Sequence, residues 1–241
     1  TNVAAATRVV VPSQCSRVDV LRAYGCAADK VHCVPYGVDL DVFTPDARLH
    51  PSIAALANPY AMFVGTVHPR KNLPLLRAAM AQLTRRVPVA PTFVLVLTAV
   101  LSPDGKRLEA EATAPVPGLQ VVRVPSPTDA DLAALLARAA VLCLPSAWEG
   151  FGFPALEAMA CGTPVVVTDR GALPELVGDA GSIVEPDVEA LAAAIEEMLR
   201  DPPPPDRGRR RAEQFSWSRT IDGWEAVLQE TAHADTPRVL R

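Results

Sequence analysis

The sequence lacks the features that mark membrane proteins, disulfide-stabilised proteins and nucleic-acid binders. Its longest uncharged apolar stretch lies near residues 91–101 and is shorter than the about 20 residues that cross a bilayer. No signal peptide is visible at its start. The five cysteines form no C-x-x-C pair, which favours free thiols in a reducing compartment. A net charge of −4 gives no electrostatic reason to expect nucleic acid as a partner. We therefore expect a cytoplasmic protein with at most peripheral membrane contact.

Lysine is also scarce, since arginine supplies 20 of the 23 basic residues, a bias that hints at a G+C-rich bacterial source. Apolar residues make up 49% of the 241, enough for a full hydrophobic core. Apolar runs alternate with helical segments, which predicts a doubly wound parallel α/β sheet. Strands are predicted at residues 8–12, 30–35, 60–65, 92–97, 118–124, 139–144, 163–168 and 182–184, and helices at 13–24, 73–86, 108–114, 128–139, 154–162, 173–177, 187–199 and 217–231.

The most informative stretch runs from Pro145 to Gly162. It follows the predicted strand 139–144 with a glycine-bearing loop, a helix and a further strand. Proline at the start of the helix and glycine at its end are the expected termini. The loop carries one acid, Glu149, and the helix carries a second, Glu157.

A second loop, residues 66–72, connects the predicted strand 60–65 to a helix that begins near Leu73. Backbone N–H groups and the dipole of a helix N-terminus attract anions, and Arg70 and Lys71 add positive charge. Two solvated basic side chains are an equally good interpretation of this loop alone. Because the carboxyl ends of parallel strands meet at one edge, we expect one rim to hold six residues: Arg70, Lys71, Glu149, Gly150, Gly152 and Glu157.

Three interpretations of the central stretch follow from the residues alone. Residues 150–155 fit the dinucleotide fingerprint G-x-G-x-x-A, and Asp169 lies about twenty residues further on. However, four residues (146–149) lie between Pro145, which ends the strand, and the first glycine, and Trp148 and Glu149 would crowd a pyrophosphate. Glu149 and Glu157 could form a glycosidase acid pair, although such pairs flank a bond from opposite sides. Alternatively, Glu149 is solvated and Glu157 only favours the helix dipole.

A resemblance favours a fourth interpretation. Glu149 to Glu157 resembles the E-x7-E signature of retaining glycosyltransferases of the GT-B fold, specifically family 4 (glycosyl transferases group 1). The resemblance extends over roughly residues 7–230. The other segments that carry it are 145–146, 157–166, 34–39 with Phe43, 63–66, 69–73, 173–175 and 215–217.

The resemblance implies a Rossmann-like donor-binding domain and transfer of a hexose, with retention and without a metal ion, from a nucleotide-diphosphate sugar. GDP-mannose or a UDP-sugar is the expected donor, and the acceptor (glycan, lipid or small molecule) is open. Lys71 and Arg70 would bind the diphosphate, Glu149 the sugar hydroxyls and Glu157 the ribose. The implied catalytic residues are Glu149, Lys71 and Arg70. The implied donor-binding residues are Gly65, Thr66, Arg70, Lys71, Glu149, Gly150, Phe151, Gly152, Phe153 and Glu157, with backbone N–H groups of Phe151 and Gly152 helping to bind the sugar.

Two positions depart from the family pattern. Thr66 stands where many relatives have a second phosphate-binding arginine, so Arg70 must supply that charge. Ala140 replaces an aspartate whose role is structural.

The resemblance also divides the chain. Residues 1–57 are expected to be a partial strand–helix–strand remnant of an N-terminal acceptor domain plus a linker, and 58–216 the donor domain. Residues 217–241 would form a crossing helix, with little of the first domain to meet, and a frayed tail. Such a chain is expected to bind a nucleotide sugar but to be weakly active or inactive alone. The alternatives are a binding module completed by a partner chain and, third, a GT-B sugar-nucleotide epimerase.

Overall fold

The computed structural model describes residues 2–48, 56, 59–87, 92–97 and 103–234. Its strands are β1 (Val9–Val11), β2 (Val31–Cys33), β3 (Tyr60–Gly65), β4 (Thr92–Leu97), β5 (Val121–Pro125), β6 (Val141–Leu144), β7 (Val165–Thr168) and β8 (Ser182–Val184). Its helices are α1 (Asn2–Ala5), α2 (Gln14–Tyr24), α3 (Leu73–Leu83), α4 (Pro103–Thr113), α5 (Asp129–Leu136), α6 (Phe153–Ala160), α7 (Leu173–Val177), α8 (Val188–Arg200), α9 (Pro205–Ala212) and α10 (Trp217–Ala234). Short 3-10 turns at Ala28–Lys30 and Pro69–Lys71 precede β2 and α3.

The main sheet of the described residues has six parallel strands in the order β5-β4-β3-β6-β7-β8. Strands β3, β4, β6 and β7 are buried along their whole length, as strands covered by helices on both faces must be. In one layer α3 packs against α4 and α8, and in the other α6 packs against α5, α7 and α9. The predicted doubly wound parallel α/β fold is therefore confirmed.

The winding of the sheet reverses between β3 and β6. The chain runs outward from β3 through β4 to β5, and then returns so that Ala61 and Met62 of β3 pair with Val141 and Leu142 of β6. In open α/β sheets, ligands bind at the carboxyl ends of the strands at such a reversal. A ligand site is therefore expected at the loops that follow β3 and β6.

Local sequence signals set most element boundaries. The Ser13 side chain accepts a hydrogen bond from the Ser16 N–H at 3.0 Å to begin α2, and Gly25, with φ of 59°, ends it in the left-handed conformation. Helix α7 and strand β8 have the predicted ends.

Other boundaries were predicted wrongly. Helix α3 ends at Leu83 instead of Arg86, and α5 at Leu136 instead of Ala139, because tighter turns follow each of them. Helix α4 begins at Pro103 instead of Leu108, since proline is accepted in a first turn. Strand β5 begins at Val121 instead of Gly118, because residues 116–119 form a turn. The predicted boundary between residues 57 and 58, residues 49–55 of the preceding linker and the tail 236–241 lie outside the described residues.

Strands β1 and β2 form a separate two-stranded parallel sheet with α2. We refer to β1, α2 and β2 as the N-terminal unit. Helix α10 packs against the segment after β2, where the Thr220 hydroxyl donates to the Pro35 carbonyl at 2.8 Å, and the Val38 N–H donates to the Phe215 carbonyl at 3.0 Å. One face of α10 therefore packs against β2 and the segment that follows it. The last helix has more contacts than the sequence led us to expect.

A neighbouring face of α10 carries four exposed large apolar side chains at helical spacing: Trp217, Ile221, Trp224 and Leu228. Among the described helices, α10 included, none combines the length and apolar character that crossing a bilayer requires. The five cysteines are free thiols, as predicted.

Candidate functional site

The loop after β3 presents two basic side chains at the winding reversal. The chain leaves Gly65 and forms the 3-10 turn Pro69–Lys71, in which the His68 side chain accepts a hydrogen bond from the Arg70 N–H at 3.2 Å. Asn72 then adopts a left-handed φ of 51° and α3 begins at Leu73. This sharp turn directs the Lys71 side chain back toward the end of the sheet, where it is only 6% exposed.

Glu149, from the loop after β6, joins these two cations. One carboxylate oxygen accepts hydrogen bonds from Lys71 Nζ and, at 2.8 Å, from the Ser146 hydroxyl. The other oxygen accepts a bond from Arg70 Nη1 at 2.9 Å. Glu149 is 5% exposed, whereas Arg70 is half-buried. The structure thus brings Arg70, Lys71 and Glu149 into one ion-pair cluster across the reversal point.

The charge state of Glu149 follows from this setting. Burial raises the pKa of a carboxyl, but the charge of Lys71, the hydrogen bonds from Lys71 and Ser146 and the charge of Arg70 together outweigh it, so the pKa of Glu149 is lowered. The carboxylate is therefore ionised, and the cluster of one anion and two cations keeps an excess positive charge. Such a site is suited to an anionic ligand.

The backbone around Glu149 is held by segments that the sequence analysis did not single out. The Ala147 N–H donates to the Arg70 carbonyl at 2.7 Å, and the Ala172 N–H donates to the Glu149 carbonyl at 2.9 Å. Gly171, with φ of 63°, lies so close that a Cβ at this position would clash with the backbone of Glu149. The positive φ and the close approach both require glycine here. Local sequence gives no sign of this contact, because the segments are joined only by folding.

The residues that follow Glu149 are placed mainly by packing. Gly152 has φ of 107°, and a Cβ there would lie 2.9 Å from the Leu173 side chain, so glycine allows α6 to pack against α7. Phe151 is buried and Phe153 is exposed. Tyr36 stacks on Phe153 at a centroid distance of 5.2 Å and meets the edge of Phe151 at 5.3 Å. These contacts account for the G-F-G-F pattern independently of any ligand.

Glu157 takes no part in the hydrogen bonds of the ion-pair cluster. It sits on α6 beside the first turn of α5, and its carboxyl forms no hydrogen bond within the part of the chain that the structure describes. Burial, with a smaller contribution from the negative charge of Asp129, raises the pKa of Glu157 to about 7. Of the residues predicted to share one rim, the structure thus brings Arg70, Lys71 and Glu149 into contact, whereas Glu157 forms no hydrogen bond with them.

Comparison with known proteins identifies the family. Residues 58–201, more than half of the chain, match the family model described as glycosyl transferases group 1. The chain belongs to this family. A region of 238 residues is 37% identical to an MMP alpha-(1->4)-mannosyltransferase of Mycolicibacterium hassiacum, covering 91% of this chain and 54% of that protein. A D-inositol 3-phosphate glycosyltransferase of Saccharomonospora viridis is 36% identical over 249 residues, covering 96% of this chain and 57% of the relative.

Solved structures of GT-B glycosyltransferases share the fold of this family member. Sucrose-phosphate synthase from Thermosynechococcus elongatus aligns with a TM-score of 0.78 and 29% identity, over 93% of this chain and 58% of that one. Anabaena Alr3699/HepE, solved in complex with UDP and glucose, aligns with a TM-score of 0.79 and 24% identity, over 93% and 64%. The chain thus spans between half and two thirds of the length of the proteins it matches here.

The contact between Gly171 and Glu149 predicts a large effect of Gly171→Ala. The substitution adds left-handed strain and a clash with the Glu149 backbone, which cannot move without breaking the ion-pair cluster. Gly25→Ala is a matched control, because Gly25 has a similar φ of 59° but no atom within 4 Å of an added Cβ. Urea denaturation should show that Gly171→Ala lowers the free energy of unfolding by about 1–3 kcal/mol more than Gly25→Ala. Equal losses would contradict the packing argument.

The raised pKa of Glu157 predicts a pH-dependent effect of Glu157→Gln. The folded chain holds the proton more tightly than the unfolded chain, so folding stability falls as pH rises from the unfolded pKa near 4.5 to about 7. Glutamine mimics the neutral carboxyl and does not titrate. The stability of Glu157→Gln relative to the parent chain should therefore rise by about 1–3 kcal/mol between pH 5 and pH 8, measured by urea denaturation. A difference independent of pH would show that the carboxyl titrates as it does in the unfolded chain.

Proposed function

We propose that this chain is the donor-binding half of a retaining family 4 glycosyltransferase, which transfers a hexose from a nucleotide-diphosphate sugar without a metal ion. The observation that supports this most is the ion-pair cluster of Arg70, Lys71 and Glu149 at the winding reversal of the sheet. It combines cations for a diphosphate with a carboxylate for sugar hydroxyls at the place where α/β sheets bind ligands. The family membership supports the same activity.

In this proposal, Lys71 and Arg70 act on the leaving group. Negative charge accumulates on the diphosphate as the glycosidic bond breaks, so fixed cations stabilise the transition state more than the bound donor. Glu149 accepts hydrogen bonds from both cations and so holds them in position. The diphosphate would take over part of their hydrogen bonding, which leaves the Glu149 carboxylate able to accept hydrogen bonds from sugar hydroxyls. Because Thr66 stands where many relatives have a second phosphate-binding arginine, Arg70 and Lys71 would bind the diphosphate without it.

Glu157 would bind the ribose of the donor. A carboxylate accepts two hydroxyl donors well, and this one has no hydrogen-bond partner among the described residues. Because its pKa is raised to about 7, ribose binding would favour the ionised form and release a proton. Gly65, Thr66 and residues 150–153 complete the proposed donor site.

The base and the sugar of the donor are proposed only by class. The relatives include a mannosyltransferase and an inositol-phosphate glycosyltransferase, and a structural neighbour of the same fold was solved with UDP-glucose. GDP-mannose and UDP-sugars are therefore the first donors to test. We propose that the reaction takes place in the cytoplasm and that the acceptor binds to the other half of a GT-B enzyme.

Nucleotide binding tests this proposal directly. The melting temperature should be measured with GDP, UDP, ADP and their sugars, and a ligand at 100 times its Kd should add about 2.7 kcal/mol of stability. Arg70→Ala should weaken binding of the diphosphate about tenfold, since one charge-assisted hydrogen bond contributes roughly 1.5–3 kcal/mol. Glu157→Ala should remove most of the shift.

Arg85→Ala is the matched control for Arg70→Ala, because Arg85 is an exposed arginine just after α3, outside the proposed site. It should leave the shift unchanged. If no nucleotide or nucleotide sugar moves the melting temperature of the parent chain, the donor-site proposal is wrong.

A further inference from the structure

Helix α2 of the N-terminal unit touches the loop that carries Glu149. The Trp148 indole N–H donates to the Asp19 carboxylate at 3.1 Å, and the Ser16 hydroxyl donates to the Gly150 carbonyl at 3.2 Å. Asp19 and Ser16 lie nearly one helical turn apart on α2, so they share one face. The residues on both sides of Glu149 are therefore bound to the same helix face.

The position of α2 is fixed from the donor domain. The two oxygens of Glu175, in α7, accept hydrogen bonds from the Gln14 N–H at 2.9 Å and the Cys15 N–H at 3.3 Å. These N–H groups belong to the first turn of α2, where a carboxylate also interacts favourably with the helix dipole. Because a rigid helix links these bonds to Ser16 and Asp19, the anchor at Glu175 sets where α2 meets the loop.

The segment around α7 also binds the backbone of Glu149. Ala172, directly before α7, donates its N–H to the Glu149 carbonyl at 2.9 Å. Three consecutive residues of the loop are thus held by hydrogen bonds. Asp19 binds Trp148, Ala172 binds Glu149, and Ser16 binds Gly150. The Trp148 ring also lies over Gly150, where an added Cβ would be 3.2 Å from the indole.

We propose that Asp19 and Ser16 are positioning residues of the sugar site, which orient the Glu149 carboxylate by fixing Trp148 and Gly150 on helix α2. This inference rests on the proposed function, in which Glu149 binds the hydroxyls of the transferred sugar. It predicts that α2 affects recognition of the sugar and has little effect on recognition of the nucleotide. The proposed phosphate ligands Arg70 and Lys71 are placed by their own 3-10 turn, and their bonds in the described residues reach α2 indirectly, through Trp148 and Glu149. The effect of α2 on nucleotide binding should therefore be the smaller one.

The first test needs no ligand. Amide hydrogen exchange, followed by NMR on the whole chain, should show the Ala147 and Ala172 N–H groups exchanging several-fold faster in Asp19→Ala and Ser16→Ala. Asp29→Ala is the control, because Asp29 is an exposed carboxylate of the same N-terminal segment, outside α2. It should leave both exchange rates unchanged. Unchanged rates in Asp19→Ala and Ser16→Ala would overturn the proposal.

The second test separates sugar from nucleotide. Calorimetry should compare UDP with UDP-glucose, and GDP with GDP-mannose, for each variant. Asp19→Ala should lose about fivefold in affinity for the nucleotide sugar that binds, as expected for one hydrogen bond, and keep its affinity for the nucleotide diphosphate. Asp19→Asn should recover most of the loss, because an amide oxygen still accepts the indole N–H bond.

The outcomes distinguish the two proposals. Equal losses for the diphosphate and its sugar in Asp19→Ala would assign α2 a merely structural role and overturn the positioning proposal. If the parent chain binds none of the four ligands, both the proposed function and the predicted sugar-specific effect are wrong. In that case the exchange rates alone decide whether α2 fixes the loop.

Discussion

The buried ion pair between Lys71 and Glu149 is the interaction on which the rest of the site depends. Both side chains are almost inaccessible to solvent, and removing one partner of a buried pair typically costs about 3–5 kcal/mol, because the other charge is left uncompensated. The pair therefore fixes the loop after β3 against the loop after β6. The backbone bonds from Ala147 and Ala172, and the absence of a side chain at Gly171, follow from the need to keep the Glu149 backbone at this point.

The two glutamates of the E-x7-E segment show how folding separates chemically identical groups. Glu149 lies among two cations and a hydroxyl donor, and its pKa is lowered. Glu157, eight residues later, is half-buried and has no ion pair among the described residues, and desolvation together with the charge of Asp129 raises its pKa to about 7. One carboxylate is thus ionised and holds two cations in place, while the other is free to titrate. Fixed cations of this kind are the preorganisation that charge-stabilising sites require.

Much of the fold was predictable because its signals are local. Apolar runs without alternation gave β3, β4 and β6, and capping residues such as Ser13 and Gly25 gave the ends of α2. The site was predictable in part, since parallel strands place the loops containing Lys71 and Glu149 at one edge. Tertiary contacts were not predictable from a single sequence: the close approach of Gly171 to Glu149, and the bonds of Asp19 and Ser16 to Trp148 and Gly150. These contacts join segments that are far apart in the sequence.

The N-terminal unit and the segment after it contact the loop that carries Glu149. Tyr36, just after β2, packs on Phe151 and Phe153, and Phe215, just before α10, meets the edge of Phe151. Helix α2 adds its bonds to Trp148 and Gly150. The loop that carries Glu149 is therefore enclosed by segments from both ends of the chain, and any displacement of the N-terminal unit must change the surroundings of this carboxylate. The position of the N-terminal unit is thus coupled to the geometry of the Glu149 loop through hydrogen bonds to the loop itself, those from the Trp148 indole to Asp19 and from Ser16 to the Gly150 carbonyl.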